Sequence, residues 1–166
     1  MGYMECGIIS KRELEEIGHY PSEERMKQGP VAVCECLQKI PCNPCESSCP
    51  FHAIHIGEDI SQLPELDVTK CVGCGNCQTH CSGLAIFVLD KSYSETVGSV
   101  AFPYEYLYSF EVGDKVKAAN RAGENVCEGT VKKIVLTAKS DATPILTLEV
   151  PIEYVDEVRS IYRERS

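Results

Sequence analysis

Apolar and polar positions along the first thirty residues follow helical spacing. Leu14 and Ile17 share one face, and Ser10 followed by Glu13 forms a capping box that opens a helix. A second short turn is expected after Ser22, closed by Gly29 and Pro30. Beyond residue 90 the pattern changes. Tyr104 to Phe110, Lys115 to Ala119, Val126 to Leu136 and Ile145 to Val150 are rich in β-branched and aromatic residues. Turn signals separate them at Val112-Gly113-Asp114, Arg121-Ala122-Gly123-Glu124 and Ser140-Asp141-Ala142-Thr143. This predicts a small antiparallel sheet or barrel. The run Thr130 to Leu136 is too apolar at its end for a freely solvated strand. After Pro151, the residues Ile152, Val155, Val158 and Ile161 recur every three positions, which predicts a terminal helix.

Composition divides the chain into three parts. Residues 1–33 form the helical arm, and residues 91–166 form the β-rich lobe with its terminal helix. Residues 34–90 lie between them with only Lys39 and Lys70 against seven carboxylates, so the formal charge of −9 is concentrated there. Nine of the 11 cysteines lie there too. An odd cysteine count does not suit a disulfide framework. No run approaches the length of a membrane span, and the start lacks the apolar core of a secretory signal. The expected location is therefore the reducing cytoplasm, where clustered cysteines read as metal or redox ligands. The acidic balance argues against a nucleic-acid partner.

The sharpest motif is Cys71-Val72-Gly73-Cys74-Gly75-Asn76-Cys77-Gln78-Thr79-His80-Cys81. Its C-x2-C-x2-C-x3-C spacing suits a [4Fe–4S] cubane. Three thiolates on a tight loop reach three iron corners, and the fourth cysteine faces a second cluster. Gly73 and Gly75 allow the loop to curl and to aim N–H groups at sulfur. Upstream, Cys42-Asn43-Pro44-Cys45, then Cys49-Pro50, supplies the last three ligands of a second such motif. Its first ligand is displaced, because the regular position holds Lys39. Cys36 is favoured over Cys34, since it needs the smaller loop excursion, and Pro41 keeps that loop extended. A three-cysteine [3Fe–4S] site without Cys36 is the alternative. Crossed ligation assigns Cys36, Cys42, Cys45 and Cys81 to cluster one. Cys49, Cys71, Cys74 and Cys77 go to cluster two.

The two halves repeat beyond cysteine. Cys49 and Cys81 each begin a Cys-x3-Ala-Ile segment that continues into an apolar strand. Zinc knuckles use four ligands in paired C-x2-C units and do not explain this triple recurrence. Cys6, Cys34 and Cys127 are left as structural thiols. His19, His52, His55 and His80 are not needed as ligands, because thiolates already fill every corner.

Residues 36–90 resemble the two-cluster bacterial ferredoxin family with a lengthened first loop. The resemblance implies an α+β, ferredoxin-like 2[4Fe–4S] core. A looser resemblance rests on the stretch from Cys36 to Glu46, on Ile56-Gly57-Glu58-Asp59-Ile60, and on Gly83-Leu84-Ala85-Ile86-Phe87. Gly113-Asp114-Lys115-Val116 and Asn120-Arg121-Ala122-Gly123-Glu124 extend it into the tail. This broader pattern is similar to small iron–sulfur subunits of flavin-dependent dehydrogenases. Those complexes oxidise proline, hydroxyproline or sarcosine-like amines in anaerobic bacteria and archaea.

That resemblance implies a non-catalytic electron-transfer subunit with FAD- or FMN-containing dehydrogenase partners in a hetero-oligomer. A free-standing ferredoxin with a stabilising β lobe is the second reading. A third, with the β lobe as a catalytic domain, finds no convergent polar motif in the sequence. Tyr104, Tyr106 and Tyr108 alternate, which suits packing against a core or a partner. Each oxidised cubane with its four thiolates adds about −2, so the holoprotein is expected near a charge of about −13. A basic docking face on the partner is the expected complement.

Overall fold

A computed structural model describes residues 2–138 and 142–164. Three short helices lead in: α1 (Tyr3–Cys6), α2 (Lys11–Glu16) and α3 (Glu23–Met26). The capping box of α2 is formed. The Ser10 side chain accepts from the Glu13 N–H, and the Glu13 carboxylate accepts from the Ser10 N–H. Ser22 caps α3 one way only, its side chain accepting from the Arg25 N–H.

Strand β1 (Val31–Cys34) follows, then α4 (Pro44–Ser47), the short strands β2 (Ile54–His55) and β3 (Glu65–Leu66), and α5 (Asn76–His80). Next come β4 (Ile86–Asp90), β5 (Val97–Pro103), β6 (Lys115–Ala119), β7 (Asn125–Val135), β8 (Ile145–Pro151) and β9 (Ser160–Ile161). Seven of the strands form one antiparallel sheet in the order β1-β4-β5-β8-β7-β6-β9, and β2 pairs with β3 separately. The class is mixed α+β. The sheet is open, so the barrel expectation is not met, and it runs without a break across residue 90 through the β4–β5 pair.

Strand alternation puts a different core on each face of this sheet. All four residues of β1 are buried. Val31 and Val33 join Leu89, Val100, Phe102, Leu146 and Leu148 in the main core. Ala32 and Cys34 face the other way, among Cys45, Ile54, Ile56, Cys77, Ile86 and Val88. The cysteine-rich segment therefore packs on the sheet's second face.

Two expected elements differ from those observed. The terminal helix does not form. A 3-10 turn at Ile152–Tyr154 and a further turn carry the chain into β9. The apolar period of three is still used, because Val155, Val158 and Ile161 are all buried in the main core. The open edge of β6 decides the outcome: the Arg159 N–H donates to the Ala119 carbonyl and the Tyr162 N–H to the Lys117 carbonyl, each at 2.8 Å.

Tyr104 to Phe110 is likewise not a strand; the strand precedes it as β5, ending at Pro103. Tyr104 is buried, and the rings of Tyr106, Tyr108 and Phe110 gather around it at 5.5–6.3 Å. Aromatic side chains mutually packed in this way satisfy the segment without a sheet ladder. The remaining strands lie within a residue or so of expectation; the apolar run of β7 pairs with β8 through Val131 to Val135, beyond the end of its pairing with β6 at Thr130, and Leu136 is exposed. Of the turn expected at Ser140 to Thr143, residues 140 and 141 lie outside the described residues; Ala142 has φ of 67°.

Candidate iron–sulfur centres

The sequence repeat has a structural counterpart in two matching turns. In each, the residue three after the cysteine is left-handed: His52 at φ 49° and Leu84 at φ 53°. Its N–H donates to the cysteine carbonyl, at 3.2 Å for His52 to Cys49 and 3.1 Å for Leu84 to Cys81. The next N–H then points at the sulfur. Ala53 N–H donates to Cys49 Sγ at 3.3 Å, and Ala85 N–H to Cys81 Sγ at 3.4 Å. The repeated spacing Cys-x3-Ala-Ile thus encodes an N–H···S contact followed by a buried anchor, Ile54 or Ile86. A third such contact runs from the Ala32 N–H of β1 to Cys71 Sγ at 3.4 Å. Donors of this kind stabilise charge on a thiolate sulfur.

Three of the eight thiols named from spacing show electrostatic neighbours within that set. Burial raises the Cys77 thiol to about 12, and its charged neighbours Cys71, Cys74 and Cys49 add to that rise. Burial raises Cys45 to about 11, with Cys81 and Cys42 adding to it. Cys36 is pushed up by burial and by Cys81 and Cys42. The electrostatic neighbourhoods therefore contain one cysteine from the opposite motif each: Cys81 beside Cys36, Cys42 and Cys45, and Cys49 beside Cys71, Cys74 and Cys77.

Cys49, Cys71, Cys74 and Cys77 also line one small, mainly apolar cavity of about 20 Å³, with Ile54, Leu66 and Phe51 in its wall. Among the described residues, no three Cys, His, Asp or Glu side chains converge as for a single metal ion. Four thiols lining one space match in number the four iron corners of a cubane. Without iron, raised thiol values mean protonated sulfur at neutral pH, so binding a cluster must displace those protons.

Local chemistry explains how the loops hold their shape. Gly73 has φ of +65°, and a Cβ there would lie 2.5 Å from the Pro30 side chain and 2.6 Å from its carbonyl carbon. Gly75, at φ +78°, opens α5. The tight approach reads directly from the glycines of the motif.

Other supports were not visible in the sequence. Arg25 of α3 donates to the carbonyls of Val68 (2.7 Å), Gly29 (3.0 Å) and Cys71, so the N-terminal arm fastens the second loop. Gln78 is buried in α5 and donates to the Ile86 and Ala101 carbonyls at 3.1 and 2.8 Å. Glu46 accepts from the Ile56 N–H at 3.1 Å and pairs with His55 at 2.8 Å.

Glu35, between Cys34 and Cys36, is held by two arginines from the distant β lobe. Arg121 Nη2 and Arg159 Nε reach Glu35 Oε1 at 2.6 and 2.7 Å, and Arg121 Nε reaches Oε2 at 2.9 Å. Burial alone would raise the Glu35 carboxyl, but Arg159 and Arg121 outweigh it and hold it below the usual carboxylate range. No local pattern signals such long-range pairs.

Cys34 is fully buried, with Cys77, Cys45, Cys81 and Cys36 as electrostatic neighbours, so it lies by both groups. Cys127 packs against the main core. Cys6 departs from the buried-thiol reading: it is exposed, with Sγ 3.4 Å from the Ile8 carbonyl. Among the histidines, the His80 ring meets the Asn76 carbonyl at 2.9 Å.

Residues 40–84 match the 4Fe-4S dicluster domain. A 37-residue stretch is 51% identical to one of the subunits of the Na(+)-translocating ferredoxin:NAD(+) oxidoreductase complex of Acetobacterium woodii. That similarity covers 22% of this chain and 10% of the relative, so the chain spans about a tenth of that protein. No solved structure matches the chain. The dicluster domain carries two [4Fe–4S] clusters and transfers electrons. No helix among the described residues is long and apolar enough to cross a membrane.

Proposed function

We propose that the chain is an electron-relay subunit that passes single electrons from a flavin-containing dehydrogenase, one oxidising an amino acid or secondary amine, to an acceptor. Cluster one is held by Cys36, Cys42, Cys45 and Cys81. Cluster two is held by Cys49, Cys71, Cys74 and Cys77. The observation that carries this reading is that Cys81 neighbours Cys36 and Cys45, and Cys49 neighbours Cys77, with Cys34, Cys45 and Cys77 buried in one packed core.

Bound clusters supply one-electron storage at two adjacent points. The residues of this chain do the rest. Ala32, Ala53 and Ala85 aim N–H groups at sulfur and raise the affinity for an electron. Residues 40–69 carry five carboxylates and no Lys or Arg, which lowers that affinity and offers a face for a basic partner. The arm 1–33 and the lobe 91–166 act as a frame around residues 34–90, through Arg25 and through the Arg121–Glu35–Arg159 cluster.

Assembly into a complex is supported by the relative, which is itself named as part of a complex. The second reading, a diffusible ferredoxin, is favoured only by the compactness of the cysteine core. Anaerobic purification of the native protein separates the two. A flavoprotein that co-elutes supports the relay within a complex, and a lone 18.3 kDa species supports the carrier. About eight iron and eight sulfide per chain are expected in either case. A colourless protein holding zinc would sink both.

A further inference from the structure

Helix α5 covers only part of the sheet's second face. Beside it, residues of β4, β5, β8 and β7 form one wall, with Val88 and Ile145 buried at its base, and Gly73 to Thr79 form the facing edge. Between them lies a cleft of about 600 Å³. This size is that of a small-molecule site. Val88, Ala101, Val135 and Ile145 give it an apolar floor, with Ser99 and Thr147 as hydroxyl contacts. Cys74 stands in the wall and is the exposed member of its thiol set.

Two features single this cleft out from an ordinary uncovered sheet. The register of β7 shifts between Val131 and Lys133, a bulge that places Lys132 and Lys133 in succession at the surface. Bulges re-aim side chains in this way. Lys132 turns to Glu149 at 3.0 Å, whereas Lys133 sits opposite Thr147, lines the cleft and has no ion-pair partner among the described residues. The other charged group there, Asp90, is engaged by the backbone and hydroxyl of Ser92 at 2.9 and 2.6 Å. The cleft thus offers a flat apolar wall, a lysine ammonium and an exposed thiol of a cluster set. That combination suits a flat aromatic ring with an electronegative edge.

We infer that this cleft binds the isoalloxazine ring of a flavin directly, with Lys133 at the ring's electronegative edge and the ring beside Cys74. The inference rests on the flavin-linked relay for its choice of ring, and names the place on this chain where that ring sits. The geometry makes cluster two, not cluster one, the flavin-facing end of the relay.

The test uses the holoprotein, with both clusters assembled anaerobically. FMN is titrated in and followed by quenching of its fluorescence. Saturable one-to-one binding is expected, weakened about tenfold by Lys133→Glu and lost in Thr147→Trp, which fills the cleft, with iron content unchanged in both. Riboflavin should bind within a few-fold of FMN. Competition by inorganic phosphate, with no riboflavin binding, would mean the lysine reads phosphate and would overturn the inference. Absent quenching, or quenching indifferent to both substitutions, would overturn it too. The same samples are titrated with a chemical reductant. If both clusters reduce while flavin fails to bind, this inference falls and the relay stands; if the clusters do not take electrons, the relay falls first.

Discussion

Arg159 Nε lies 2.7 Å from Glu35 Oε1, joining residues 124 positions apart. Glu35 stands between Cys34 and Cys36, and Arg159 stands just before β9, so one ion pair ties the first cysteine loop to the far edge of the sheet. Both side chains are more than nine-tenths buried. Arg159 also donates to the Val155 and Val158 carbonyls and stacks over the Phe87 ring at 5.0 Å. Removing one member of such a pair leaves an uncompensated buried charge, at a cost of about 3–5 kcal/mol.

Glu35→Gln is therefore expected to lower stability by roughly that amount, since it leaves both Arg121 and Arg159 without their carboxylate. Cluster one should be lost faster than cluster two, because Cys36 is adjacent in the chain. Anaerobic thermal unfolding, together with the rate of iron release to a chelator, checks this. Unchanged release from both clusters would refute the coupling.

Gly73→Ala should remove cluster two selectively. The new Cβ would meet the Pro30 side chain at 2.5 Å, and the backbone at φ +65° adds about 1–2 kcal/mol for a non-glycine residue. The loop contributes no strand to the seven-stranded sheet. Iron per chain should fall towards half, while far-ultraviolet circular dichroism stays near that of the parent. Full iron content would contradict the packing.

Cys36→Ser and Cys34→Ser separate the candidate first ligands. Cys36→Ser should cost cluster one. Cys34→Ser should keep both clusters while losing about 1–3 kcal/mol, because an unpaired hydroxyl would replace a buried thiol. Iron analysis and electron paramagnetic resonance of the reduced proteins read both results. The reverse pattern would make Cys34 the ligand.

Asp156 gives the protein an acid-sensitive tie. Burial would raise its carboxyl, but hydrogen bonds from Lys11 (2.8 Å), Tyr20 (2.6 Å) and Lys91 (2.9 Å) outweigh that and hold it below its ordinary value. A depressed carboxyl contributes stability above its unfolded value, near pH 4, and loses it as pH falls through the folded one. Asp156→Asn should therefore lower the unfolding midpoint by a constant amount from pH 5 to 8. The difference from the parent should shrink below about pH 4. Lys11 behaves oppositely: burial lowers it, but Asp156 and Glu23 raise it overall. Its contribution is present below about pH 10 and fades as pH rises through its raised value. Midpoints of parent and Lys11→Met across alkaline pH should converge there. A gap independent of pH would remove the electrostatic account.

The chain's own order of residues determined what depends on near neighbours. Cysteine spacing, the Ser10 and Ser22 caps, the turn glycines and the repeated Cys-x3-Ala-Ile segment each act within about five residues. They produced the expected loops and turns, with the N–H···S contacts made by Ala53 and Ala85 rather than by the Gly73–Gly75 loop. Tertiary structure decided what depends on distant partners. The period of three from Ile152 to Ile161 is compatible with a helix and equally with tight turns. The unpaired edge of β6 selected turns and β9. The two apolar faces of β1 found separate cores only once β4 lay beside it. Arg25, Arg121 and Arg159 read locally as ordinary surface charges. They become supports of the cysteine loops because folding excludes water around Glu35 and beside the carbonyls of Gly29, Val68 and Cys71, where an unpaired polar group is costly.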